Sequence, residues 1–317
     1  MLTSLMRSNL RRLFSVSLVF GLMFISGSAQ AALNVFACEP EWAALTKAIA
    51  GDRLTVYSAT TAMQDPHHIQ ARPSLIAKAR RADLLVCSGA ELEVGWLPLL
   101  LRKSANADIQ PGQPGHFFAA DYVEKQGVPE KLDRRLGDVH AEGNPHIHTS
   151  PENILLVAEA LQKRIAEIDP DNADYYQTRY ELFEKNWRNK MQQWHQQTLS
   201  LRGANIVTHH TYWRYLNSWL GLNVLATLEP VPGVSPGSSH LAAVKKAVVQ
   251  RDVTMIMHVS YVSERPAQWL FEQTGVPVVR LPATVDYQNG ETLSQWFANV
   301  IDLMTAVVDS DQVELKE

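Results

Sequence analysis

From Asp171 to Leu199 the chain contains neither glycine nor proline. Tyr176, Tyr180, Phe183, Trp187, Met191 and Trp194 recur there at spacings of three and four, which is one face of a helix. At 1.5 Å of rise per residue a helix of this length spans roughly 43 Å. That is long for a helix inside one small domain and suits a strut between two. The aromatic stripe reads as core packing rather than a cofactor box. A fold for this chain therefore has one unit before the strut and another after it.

Both flanks alternate strands with helices. Before the strut, Leu33–Cys38, Leu54–Ser58 and Asp83–Cys87 are apolar strand-like runs. Helical patterns cover Glu39–Ala50, Ser74–Arg81, about Glu91–Lys103, and Pro151–Ile168. After it, strands are expected at Asn205–Thr208, Asn223–Leu228, Thr254–His258 and Val278–Leu281. The helices between and after them fall at Thr211–Leu220, Ser238–Gln250, Glu264–Gln273 and Thr292–Val308. Such alternation predicts βαβ units and parallel sheets. The expected fold class is α/β: two (βα)-repeat lobes with parallel sheets, joined by one long α-helix. The divisions are 1–31 signal peptide, 32–168 N-terminal lobe, 169–200 linker helix and 201–317 C-terminal lobe. Ligands of open α/β sheets bind outside the carboxyl ends of the strands, here the cleft between lobes. Asn106–Pro145 is rich in Gly, Pro and Asp and lacks periodicity, so it reads as a functional loop.

The N-terminus reads as an export signal. Arg7, Arg11 and Arg12 form a positive region, Leu13–Ile25 an apolar one, and Ala29-Gln30-Ala31 a cleavage site. The apolar stretch is too short for a comfortable membrane span. The mature chain is expected to start at Ala32 and to be soluble in the periplasm. Arg11-Arg12-Leu13-Phe14 only half resembles a twin-arginine signal. Val35-Phe36-Ala37-Cys38 is a poor lipoprotein box, because Phe36 is bulky and the stretch reads better as a strand. A net charge of −4, with no basic patch interleaved with aromatics, argues against a nucleic-acid partner. Cys38 and Cys87 fall at strand ends, and in an oxidising compartment such a pair is a candidate disulfide. Two buried thiols are the alternative.

Eleven histidines remain to be explained. Three clusters lie in loops at or just beyond strand ends: His67-His68, His140/His146/His148 and His209-His210. Two clusters belong to the first lobe and one to the second, so a site using all three straddles the cleft. Gly143 and Pro145 make the middle cluster a loop. Neutral imidazole is the commonest metal ligand among side chains. Asp286, in the loop after the last strand, offers a carboxylate from the second lobe. Three imidazoles and an oxygen suit Zn2+, whereas manganese and iron(II) favour more oxygen. The remaining histidines have structural readings. His195 is a solvated residue of the linker helix, His240 sits near a helix N-terminus, and His258 is an edge or core residue. His116 is a loop residue, and His68 and His209 are solvated or support a neighbouring ligand.

These residues also carry a family resemblance. Asp65-Pro66-His67 followed by Arg72-Pro73-Ser74 resembles the first ligand motif of the metal-binding solute-binding proteins of ABC importers. Ala82–Val86 with Gly89-Ala90-Glu91-Leu92-Glu93 is similar to the strand and turn that follow it. Gly143-Asn144-Pro145-His146-Ile147 with Pro151 resembles the second motif, and His210 with Trp213 and Tyr215 the third. Glu229-Pro230-Val231-Pro232-Gly233 resembles the loop beyond it. The likeness runs in order through nearly the whole mature chain and is nearest the zinc-uptake branch, cluster A-I. It implies His67, His146 and His210 as metal ligands, with Asp286 matching a fourth position that is a second-lobe carboxylate or water. It implies a monomeric periplasmic protein that carries Zn2+ as cargo to a membrane permease and catalyses nothing. Departures are His148 where tryptophan is usual, Thr149-Ser150 for Leu-Asp, and Thr211 where an Asp often follows the third histidine. The long His-rich loop of some zinc binders is absent, and His116 and His140 are candidates for its role. The alternatives are a manganese or iron(II) binder of the same fold, a metal store or adhesin, and a zinc-dependent hydrolase using Glu142 or Asp65 as base. No nucleophile or oxyanion motif accompanies the last.

Overall fold

The structure, a computed structural model, describes residues 32–130 and 139–314. The expected signal peptide and its cleavage site lie outside the described residues. The first lobe holds strands β1 (Leu33–Ala37), β2 (Leu54–Ser58), β3 (Leu84–Cys87) and β4 (His116–Phe118), in the order β2-β1-β3-β4. The second holds β5 (Asn205–Thr208), β6 (Asn223–Thr227), β7 (Met255–Val259) and β8 (Val278–Leu281), in the order β6-β5-β7-β8. Every pairing is parallel. β3 and β7 are buried along their whole length, as expected of strands covered on both faces. In each sheet the chain moves first to one side of its opening strand and then to the other. That reversal opens a crevice at the strand carboxyl ends, beside β1 and β3 in one lobe and β5 and β7 in the other.

The helices of the first lobe are α1 (Pro40–Ala50), α2 (Pro73–Ala79), α3 (Leu97–Ser104) and α4 (Pro151–Ile168). α5 (Ala173–Gln197) is the strut; its 25 residues span about 37 Å. The second lobe adds α6 (Arg214–Leu220), α7 (Ser238–Val249), α8 (Arg265–Thr274) and α9 (Leu293–Glu314). Tyr176, Tyr180, Trp187 and Trp194 of α5 are buried. Near its start, Arg179 donates to the Ala48 carbonyl of α1. Further along, Trp187 and Trp194 pack on Phe297 of α9, with ring centres 5.4 and 5.3 Å apart. One apolar cluster runs through both lobes along this helix, and a smaller one lies under the outer helices of each lobe. Cys38 and Cys87 are bonded, joining the ends of β1 and β3 with Cα atoms 4.8 Å apart.

Two stretches differ from the pattern read in the sequence. The helix expected from Glu91 starts only at Leu97. Gly89, Ala90 and Glu91 all have positive φ, which a right-handed helix excludes, and Glu93 turns inward to accept from Ser88 and Gly89. The aperiodic stretch after Asn106 supplies β4, whose three residues pair with β3.

Candidate metal centre

His67 stands in a short 3-10 turn, Pro66–His68, beyond the end of β2. Asp65 caps that turn: its Oδ1 accepts from the His67 backbone N–H at 3.0 Å and lies 2.7 Å from His67 Nδ1. Pro66 is fixed in turn by the Trp96 indole, which donates to its carbonyl at 2.9 Å. With Nδ1 donating to Asp65, Nε2 of His67 keeps its lone pair for a metal. Burial alone would raise the Asp65 carboxyl, but the hydrogen bonds and charge of His67 hold it below the usual range.

His210 repeats the device from the other lobe. It follows β5 after His209, and its Nδ1 lies 2.7 Å from Glu229 Oε2. Glu229 also accepts from the Gly233 N–H at 3.0 Å, the turn that Pro230 and Pro232 stiffen. Burial would raise the Glu229 carboxyl; bonds from His209 and His210 overcome it and hold it at about 2. A carboxylate from each lobe thus fixes one imidazole with Nε2 outward.

His146 lies deepest, 1% exposed, just before the turn Ile147–Thr149. Asn144 Oδ1 accepts from its backbone N–H at 3.0 Å. Asn144 is held from the second lobe, donating to Thr211 O at 2.9 Å and accepting from Tyr215 Oη at 2.7 Å on its carbonyl. The His146 ring lies against Tyr212, centres 4.1 Å apart, and neither ring nitrogen has a hydrogen-bond partner among the described residues. Burial, and then the neighbouring imidazoles of His67 and His210, hold its pKa well below the ordinary value. It is therefore neutral, the form that binds metals.

Three imidazoles sharing one tetrahedral ion through nitrogen stand with ring centres about 5 Å apart and ligand atoms about 3.3 Å apart. The ring centres of His67 and His146 are 5.5 Å apart and those of His146 and His210 5.8 Å. A fourth imidazole joins them. His140 stands with its ring 5.3 Å from that of His67 and its Nε2 3.2 Å from His67 Nε2. One nitrogen pair, His67 and His140, stands at tetrahedral spacing, while the rings of His146 and its two neighbours stand somewhat wider than in a closed site.

Asp286 lies in the loop after β8. It precedes the turn Tyr287–Asn289, its Oδ2 accepts from Asn289 Nδ2 at 2.7 Å, and its N–H donates to Glu291. Ala283 and Thr284 are the residues of that loop that reach the space beside His146. His148 lies there too, buried, 3.2 Å from Glu41 Oε1 through Nδ1 and 3.1 Å from Tyr212 Oη through Nε2. Thr284 donates to Glu41 at 2.6 Å, so first-lobe and second-lobe groups meet under the imidazoles. His148 is thereby a tie between lobes. His209 is buried against His258, which is itself fully buried. His116 belongs to β4 and bonds Ile109 O, His240 bonds Thr227 O, and His68 and His195 are exposed.

The sequence reading placed Asp65, but not Glu229, beside a ligand. Asp65 is legible as a capping residue two positions before His67; nothing local pairs Glu229 with His210. A cavity of about 1020 Å3 between α1, α5 and residues 287–294 contains none of the imidazoles. It lies apart from this chemistry. The group Cys38, Cys87 and Glu93 is compact, but its sulfurs are bonded to each other and offer no thiolate.

Several known proteins resemble this one. The manganese ABC transporter substrate-binding lipoprotein PsaA of Streptococcus pneumoniae is 25% identical over 279 residues, 83% of this chain and 85% of the relative. The metal ABC transporter substrate-binding lipoprotein ScbA of Streptococcus cristatus is 31% identical over 151 residues, 46% of this chain and 44% of the relative. A crystal structure of ZnuA superposes with a TM-score of 0.71 at 22% identity, covering 87% of this chain and 99% of that one. A Mn-bound periplasmic metal-binding protein from Candidatus Liberibacter asiaticus superposes at 0.70 with 21% identity, covering 86% and 98%. These structures share the two-lobed fold and its long helix. Residues 35–309 match the family described as zinc-uptake complex component A, periplasmic, and the chain belongs to that family of metal-binding proteins, which are not enzymes.

Proposed function

We propose that this protein captures Zn2+ outside the cytoplasm and delivers it to an ABC-type permease. His67, His146, His210 and His140 are the ligands in this reading, with His140 in the fourth position that the sequence suggested for Asp286. The observation that carries it is the donor set: His140, His67, His146 and His210 neighbour one another in a row, and His67 and His210 are each oriented by a carboxylate that binds through Nδ1. Imidazole suits zinc, and manganese prefers carboxylate, carbonyl and water oxygen. Asp65 and Glu229 are already engaged by Nδ1 atoms and support ligands rather than serving as them. The names of its relatives support an ABC importer as the destination. Those relatives are lipoproteins, whereas Cys38 is buried and bonded to Cys87. Export with a cleaved signal peptide, and not a lipid on Cys38, fits that burial.

A manganese carrier of the same fold is the second reading, favoured by the names of the manganese-binding relatives. Competition between Zn2+ and Mn2+ on chelator-stripped protein at one pH separates the two. Zinc is expected to displace manganese when manganese is in large excess. Each of His67→Ala, His140→Ala, His146→Ala and His210→Ala is expected to weaken zinc, and Asp286→Ala to leave it unchanged. Tighter manganese than zinc, or four silent histidine variants, would sink the proposal.

A further inference from the structure

The turn between β3 and α3 holds three successive residues with positive φ, and it touches the loops of two imidazoles. Gly89, Ala90 and Glu91 have φ of 75°, 49° and 65° in succession. Two of these carry side chains in a region that L residues rarely adopt. Such a conformation persists only where the surroundings over-determine it. Here they do. The buried Glu93 carboxylate accepts from the Ser88 N–H at 2.7 Å and the Gly89 N–H at 3.1 Å. Ser88 Oγ donates to Glu39 at 3.1 Å and accepts from the Trp42 indole at 2.8 Å. The Ser88 carbonyl accepts from Ala120 at 2.9 Å, and Cys87 is bonded to Cys38. A Cβ on Gly89 would stand 2.9 Å from Phe118 Cβ, so only glycine fits.

Pinned at its base, the turn reaches the metal centre at three points. The Trp96 indole holds the Pro66 carbonyl, and Gly95 packs on the His67 carbonyl so closely that a Cβ would stand 3.2 Å from it. Both contacts fix the His67 loop. The Glu91 carboxylate accepts the N–H of Ala141, the residue next to His140. A helix begun at Glu91, as the sequence pattern suggests, would not keep this left-handed residue in place.

We infer that the turn Ser88–Trp96 is the positioning element of the first-lobe half of the metal centre, and that Glu91 sets where His140 stands. The inference rests on the reading of His140 as a ligand. Glu91 touches no metal in this role; it acts through the backbone of Ala141. Glycine tolerates the left-handed backbone at position 91, so Glu91→Gly removes the carboxylate while sparing the fold. Glu91→Gln keeps an oxygen that still accepts from Ala141.

The test measures zinc affinity by chelator competition and the visible spectrum of the Co2+-loaded protein. It compares wild type, Glu91→Gly, Glu91→Gln, His140→Ala and the double variant Glu91→Gly/His140→Ala. Glu91→Gly is expected to weaken zinc about ten-fold, to shift the cobalt spectrum in the direction that His140→Ala shifts it, and to be rescued by Glu91→Gln. Added to His140→Ala, it is expected to change affinity no further, because its effect runs through that imidazole. Should His140→Ala alter affinity and spectrum while Glu91→Gly alters neither, the inference is overturned. An undiminished loss from Glu91→Gly in the His140→Ala background overturns it as well. Should His140→Ala itself change nothing, the ligand reading falls and takes this inference with it.

Discussion

Glu93→Gln asks whether the first lobe carries a proton in its core. Glu93 and Glu39 are both buried, 2% exposed, and both receive the Ser88 N–H. Burial raises both carboxyls; Glu39 is raised further by the nearby Glu93 and Glu41, and Glu93 is pushed up from 4.5 to about 7. A carboxyl whose folded pKa exceeds its unfolded value binds protons more tightly when folded. Its stabilising effect is complete below about 4.5 and is lost as pH rises through about 7. The shift corresponds to roughly 3 kcal/mol. Glutamine keeps the oxygen that Ser88 and Gly89 bond and removes the titrating group. Urea unfolding of the metal-free protein from pH 4.5 to 8.5 reads the effect. Glu93→Gln should match wild type at the acid end and exceed it by roughly 3 kcal/mol near pH 8. Parallel profiles, or a gap that widens on acidification, would refute the buried proton.

Other perturbations follow from the same contacts. Glu229→Gln removes the carboxylate that orients His210 and should weaken zinc by about 10- to 100-fold in chelator competition; unchanged affinity would mean that His210 needs no such partner. Replacing Cys38 and Cys87 by alanine opens a loop of separation 49 and should cost roughly 4 kcal/mol in denaturant titration. An unchanged midpoint would show that buried contacts alone hold β1 to β3. Trp187→Ala deletes a buried ring that packs on Phe183, Trp194 and Phe297 and bonds Pro151 O. It should destabilise by about 3–5 kcal/mol, and a loss under 1 kcal/mol would contradict the strut's role in joining the lobes.

The alternation of strands and helices and the strut were legible because both are periodic and local. Trp187 and Trp194 sit seven residues apart on one helix face whatever they pack against. β4 was not legible, since three residues in a Gly- and Pro-rich stretch carry no period. The stretch from Glu91 to Trp96 has a helical sequence pattern that is overridden by the inward Glu93 carboxylate, a tertiary effect. In the candidate metal centre, His67, His146 and His210 stood out by their loop contexts. The nearness of His140 to His67 depends on a pairing 73 residues apart, and that of Thr284 to Glu41 on one 243 apart. No spacing rule reaches across such distances. His148 looked like one more metal-loop histidine until its contacts with Glu41 and Tyr212 were seen.

Those buried contacts decide how an ion can leave. Thr284 with Glu41, Asn144 with Thr211 and Tyr215, and His148 with Tyr212 all cross between the lobes beneath the imidazoles. Prising the lobes apart would strip partners from each buried group, at about 1–3 kcal/mol apiece, and would expose the apolar cluster that both lobes share. Jaw-like opening is therefore the expensive route. The imidazoles are not equally enclosed: the side chains of His67 and His210 are 11% and 15% exposed, and His146 is sealed at the bottom. On the proposed reading an ion would be reached past His67 and His210, whose loops are anchored by Asp65 with Trp96 and by Glu229 with Gly233. Small displacements of these anchors would then uncouple a ligand without touching the shared core. On the proposed reading, the carboxylates that orient the imidazoles for capture are the same groups whose movement would govern release.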